Sequence, residues 1–187
     1  RLRRHASTDY VFLVNDRRTF GRYVGQHGLV MEEGVADSAE VRLQRAGGHA
    51  YDLLAHANIP LTAGDGEVRF QVNLGPADGR IVMISDRPIA TVTITGPSSA
   101  RRGERARFQV RIVDPEGQPL AAVIPLRVEV VDPEGRPAEG TGWYGARDGV
   151  LQLDLDLAPN DAPGPWRIHV RELASNRRAE HKFDVVQ

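Results

Sequence analysis

Hydrolysis of a glycosidic bond needs two carboxyl groups facing one sugar from opposed positions. Asp52, Glu32, Glu33, Asp154 and Asp156 could supply them, but none stands in a recognisable acid or nucleophile setting. Asp154 and Asp156 alternate with leucines, which is the pattern of a strand's solvated face. His49, Asp52, His56 and Glu67 are residues of metal-ligating type. The spacing His49-x-x-Asp52-x-x-x-His56 lacks the H-E-x-x-H helix context, and a strand would put His49 and Asp52 on opposite faces. No G-x-S-x-G elbow is present; Ser7, Ser38, Ser85, Ser98, Ser99 and Ser175 all fall in turn-like settings. The expectation is a chain without catalytic residues, metal or cofactor.

Two acidic turns, Asp114-Pro115-Glu116-Gly117 and Asp132-Pro133-Glu134-Gly135, could pool oxygens for calcium. They do not match an EF-hand loop, and type I turns with proline at the second position account for the same residues. Trp143 and Tyr144 are the best candidates for ligand contact, lying in the glycine-rich stretch Gly140 to Gly145. A loop there could present a ring to a sugar or a partner, because aromatic rings offer large apolar area at low entropic cost. The competing expectation places one ring in the core and the other over a sandwich edge. Arg1, Arg3, Arg4, Arg17, Arg18 and Arg22 make the N-terminal stretch basic, as a solvated face or a contact with a neighbouring domain would be.

The elements that would position these residues are strands. Phe108, Val110 and Ile112 alternate with Arg107, Gln109 and Arg111, and Trp166, Ile168 and Val170 alternate with Arg167, His169 and Arg171. Leu126, Val128 and Val130, and the leucines from Leu151 to Leu157, repeat the period-two pattern. Turn signals separate these runs about every ten residues, and helical periodicity is almost absent. The first half holds further strands at Val41 to Leu43, Tyr51 to Leu54, Val68 to Leu74 and Arg80 to Ile84. Tyr10 to Val14 reads as a strand buried on both faces. Residues 20 to 38 read as a long loop with a short edge strand. The octets 113–120 and 131–138 lie one strand and one turn apart, which marks repeated turn chemistry inside one domain.

The predicted fold class is all-β: two tandem antiparallel sandwiches, 1–88 and 89–187, with the boundary near Asp86-Arg87-Pro88. The 24 basic and 25 acidic residues nearly cancel, so nucleic acid is not an expected partner. There is no cysteine, which removes disulfides and thiolate metal sites. No apolar run is long enough for membrane insertion by a helix. The chain opens on Arg1-Leu2-Arg3-Arg4 without Met or signal peptide, as expected of a segment from a longer protein.

Residues 9–85 resemble the small C-terminal β-sandwich that follows the catalytic barrel in many glycoside hydrolases. The resemblance lies in Asp9 to Asn15, Val41-Arg42-Leu43, Ala50-Tyr51-Asp52-Leu53-Leu54 and the run Leu74 to Met83. Residues 90–187 resemble bacterial immunoglobulin-like and macroglobulin-like modules. There the matching features are Thr91 to Pro97, Arg102-Gly103-Glu104, the two D-P-E-G turns and Gly164 to Val170. These resemblances imply a non-catalytic accessory pair from a larger secreted bacterial protein, extracellular or periplasmic, whose catalytic domain lies upstream. That upstream domain would be the first partner, with the second module acting as a spacer. The alternative is a carbohydrate- or protein-binding module that uses Trp143 and Tyr144.

Overall fold

A computed structural model describes residues 1–187, and every regular element in it is a strand. In the first half these are β1 (Leu2–His5), β2 (Thr8–Val14), β3 (Arg18–Gly25), β4 (Gly28–Gly34), β5 (Asp37–Gln44), β6 (His49–Asp52), β7 (Ala57–Ile59), β8 (Thr62–Gly64), β9 (Glu67–Leu74) and β10 (Gly79–Ser85). One sheet runs β1-β2-β10-β6-β7 and another runs β5-β9-β8. In β9 the odd–even alternation turns Val68, Phe70, Val72 and Leu74 inward. Of these, Phe70, Val72 and Leu74 meet Val11, Ala50, Val82 and Ile84 of the first sheet in one buried cluster.

The second half comprises β11 (Thr91–Thr95), β12 (Ser99–Arg101), β13 (Arg105–Val113), β14 (Val123–Val131), β15 (Gly142–Arg147), β16 (Val150–Asp156), β17 (Gly164–Glu172) and β18 (Arg178–Val186). Their hydrogen-bonded order is β11-β13-β16-β15-β14-β17-β18-β12. The link between β16 and β15 is a single register pair, Arg147↔Val150, so the order folds there into two facing layers. β12 runs parallel to β18, while the other ladders are antiparallel. This is an immunoglobulin-like β-sandwich. Its core packs Phe108 against Phe183 in a tilted pair, 4.9 Å between ring centroids, with Trp166 at 6.1 Å from Phe183. The turn Asp148-Gly149 that reverses the chain has φ of 52° and 70°. A Cβ at Gly149 would lie 2.7 Å from the Leu120 nitrogen, so both backbone conformation and close approach demand glycine there.

Two expectations for the first half need correction. The run Tyr10 to Val14 is not buried on both faces: Val11 is inside, whereas Val14 is 78% exposed and Phe12 39% exposed. Strand alternation continues through this apolar stretch, and the sheet's outer face is covered at only one end. Residues 18 to 34 are not a loop but the β3–β4 hairpin, whose register shifts twice. Those shifts break the period-two pattern from which a strand would be read.

The covered end of that outer face is where the two halves meet. Tyr51 and Met83, with Ile89 from the connecting segment, belong to the same buried cluster as the second sandwich's core. Polar groups close the seam. The Tyr51 hydroxyl accepts the Ile89 N–H at 2.8 Å, and Thr8 Oγ1 donates to the Ala121 carbonyl at 2.9 Å. The Tyr10 hydroxyl donates to the Val123 carbonyl at 2.8 Å and accepts its N–H at 2.6 Å. Burial pushes the Tyr10 hydroxyl up to about 12. Arg87 Nη1 donates to Asp114 Oδ2 at 2.6 Å, and His5 lies 2.7 Å from Asp148. The seam therefore combines a buried apolar cluster with hydrogen bonds that run from one half to the other.

Candidate ligand-binding face

The layer containing β15, β14, β17 and β18 buries one face against Phe108 and its neighbours and turns the other to solvent. Directly opposed residues in an antiparallel ladder share a face, so the outer surface can be assembled row by row. The registers Trp143↔Arg127, Arg127↔Arg171 and Arg171↔Arg178 put one aromatic ring and three guanidiniums in a single row across four strands. The next row, through Glu129↔His169 and His169↔Glu180, is acid, imidazole, acid. The third pairs Arg167 with Lys182. A trough of about 690 Å³ lies over the first two rows.

Trp143 is 71% exposed, and the Arg127 guanidinium carbon stands 5.2 Å from its ring centroid. The guanidinium and ring attract each other through the ring quadrupole, which steadies an otherwise free side chain. Arg171 Nε donates to Asn176 Oδ1 at 2.6 Å, a neutral partner that fixes the side chain without cancelling its charge. His169 Nδ1 lies 3.3 Å from Glu180, which also holds Lys182 at 3.3 Å.

Tyr144 lies elsewhere. It is adjacent to Trp143 on β15, so its ring points to the opposite face, packs against the core and donates its hydroxyl to the Gly140 carbonyl at 2.8 Å. The expected aromatic loop is a strand, and a strand cannot bring consecutive rings onto one platform. The remaining surface of the face was missed because Arg127 is far in sequence from Arg171 and Arg178, and the row exists only once the strand registers are fixed. Each sits at an outward position of a recognisable alternating strand, and that was the available signal.

The other chemical candidates are dispersed or occupied. Asp52 accepts the Leu54 and Ala55 amides at 2.8 and 2.9 Å, and His56 Nδ1 lies 2.8 Å from the Leu173 carbonyl. Glu67 receives Arg69 at 2.6 Å, and His49 lies at the exposed start of β6. No three His, Asp or Glu side chains gather in a metal-holding cluster. Asp114 Oδ1 accepts the Gln118 amide at 2.8 Å, and Asp132 Oδ1 accepts the Arg136 amide at 2.8 Å. Their other oxygens take Arg87 and Arg136, so these carboxylates are committed to arginine and their own turns. Asp154 and Asp156 lie on the outer side of β16, Asp156 paired with Arg105 at 2.5 Å. Glu172, fully buried, binds the Ala174, Ser175 and Arg177 amides of the β17–β18 turn.

No family model and no curated protein matches the chain. Among solved structures, an alpha-2-macroglobulin from Salmonella is 17% identical with a TM-score of 0.44, covering 100% of this chain and 12% of that one. The Yersinia pseudotuberculosis adhesin InvE is 11% identical with a TM-score of 0.42, covering 98% and 55%. A superoxide reductase from Ignicoccus hospitalis is 14% identical with a TM-score of 0.37, covering 52% and 82%. These likenesses are too distant to bear on function.

Proposed function

We propose that the chain is a non-catalytic accessory module of a larger extracellular protein, and that its working surface is the Trp143 face. The observation that carries this is the Trp143 ring, most of its area in solvent beside a polar trough. An exposed ring next to fixed hydrogen-bonding groups suits the apolar face and hydroxyl rim of a sugar. The test is binding of the chain to a panel of polysaccharides, wild type against Trp143→Ala. Saturable binding lost in the variant supports the reading; a well-folded chain that binds nothing rejects it.

A second role follows from the seam. Two halves sharing one buried cluster make a stiff strut, as needed to hold a binding face at a set position on a carbohydrate-active parent. The first half would pack on an upstream catalytic domain through the exposed part of its outer sheet face, where Phe12 and Val14 lie. The gene region upstream of Arg1 tests this directly: a barrel-type glycosidase supports it, and an unrelated domain rejects it.

A further inference from the structure

We propose that the ligand of the Trp143 face is an acidic polysaccharide, bearing carboxylate or sulfate groups. This rests on the binding reading above. Packing alone gives no reason for three arginines in one row, because like charges directly opposite each other destabilise a sheet. Arg127 is opposite Arg171, and Arg171 is opposite Arg178. The row also lacks internal neutralisation. Arg127 reaches Glu129 only at 3.6 Å, and Arg171 spends its Nε on an asparagine. Arg178 makes no ion pair at all.

Across the first three rows the face sets Arg127, Arg171, Arg178, Arg167 and Lys182 against Glu129 and Glu180. The whole chain is nearly neutral, so this excess of positive charge is local. Neighbouring strands lie about 4.8 Å apart, so the row runs about 14 Å from Trp143 to Arg178. That length offers a ring for one sugar face and a line of planar forks for anionic groups further along the same polymer. Guanidinium suits that task because its fork binds carboxylate and related oxyanions in pairs.

The experiment measures affinity for two matched pairs: dextran sulfate against dextran, and polygalacturonate against its methyl ester. Duplex DNA serves as a polyanion without an accessible sugar face. The expected result is saturable binding of the two charged polymers, weakened by added salt, with their neutral counterparts and DNA bound far less. Arg171→Gln and Arg178→Gln should each weaken binding by about tenfold, the value of one charge-assisted hydrogen bond. Both positions are on the solvent face, and an unchanged melting midpoint confirms folding. Binding of the neutral polymers that needs Trp143 but ignores the arginines would overturn the acidic ligand and leave the binding face standing. Binding of DNA as tight as that of the charged polymers, and indifferent to Trp143→Ala, would also overturn it. No binding to any polymer would remove the inference and the reading beneath it together.

Discussion

The turn at Asp114–Gly117 and the turn at Asp132–Gly135 are near copies in sequence and in backbone. In each, the aspartate carbonyl accepts the glycine amide at 3.0 Å. In each, a bridge joins the preceding valine to the following proline, Val113 to Pro119 and Val131 to Pro137. Their surroundings differ. Asp114 is buried, and its carboxylate receives Arg87 from the segment connecting the two halves. Asp132 receives Arg136 from its own turn. One octet is part of the seam, continuing into the carbonyl that Thr8 binds, and the other keeps its carboxylate contacts within its own turn. Identical local chemistry thus does a long-range job only where the tertiary fold brings a second partner to it.

The largest effect is expected at the seam. Met83→Ala removes a fully buried side chain from the shared cluster and should cost about 2–5 kcal/mol. Denaturant unfolding measures this, and a loss under 1 kcal/mol, on the order of an exposed substitution, would refute the common core. Next come the paired variants Asp114→Ala and Asp132→Ala. The first leaves Arg87 unpaired at the seam and the second disturbs only one exposed turn. A larger drop in melting midpoint is expected for Asp114→Ala; equal drops would mean that the two turns carry the same load.

Tyr10→Phe deletes both hydrogen bonds to Val123 while keeping the ring, for an expected loss of about 1 kcal/mol in denaturant titration. The same hydroxyl gives the seam an alkaline limit. Its pKa is raised from 10.0 to about 12 by burial, so its contribution is whole below pH 10 and is lost as pH climbs towards 12. Phenolate absorbance followed against pH should show a late-ionising tyrosine that Tyr10→Phe removes.

The acid side acts on both turns. Arg87, by its hydrogen bond, holds the Asp114 carboxyl below its ordinary 3.8, and the backbone hydrogen bond from Arg136 does the same for Asp132. A lowered carboxyl stabilises above its unfolded value and loses that contribution as pH falls through the folded one. Stability should therefore fall below about pH 4, and Asp114→Ala should flatten that decline. Smallest of all is Arg136→Gln, whose side chain is mostly in solvent; its melting midpoint should match wild type within error.

Much of the fold was legible because burial on one face writes itself into a strand with period two. Phe108, Val110, Ile112, Trp166, Ile168 and Val170 are buried as their alternation requires. The hairpin over 18–34 was illegible for the converse reason. Neither of its faces is pressed on a core, so Phe20, Val24, Leu29 and Met31 stay exposed and no alternation is enforced. The site was half legible. Trp143 could be picked out as a large ring in a small-residue stretch, but its separation from Tyr144 required knowing that the stretch is a strand.

By itself the sequence determined the all-β class, the main strands of the second half and the geometry of its two acidic turns. Those follow from local sterics and from which side chains avoid water. Only the tertiary structure decided which residues share a row. The register of β14 on β17 joins positions dozens of residues apart, that of β17 on β18 sets Arg178 opposite Arg171, and a one-residue slip in either would turn each arginine to the opposite face. The seam was decided in the same way. Tyr51 and Met83 look like ordinary residues of the first half, and Ile89 like part of a connector, until the second half packs against them.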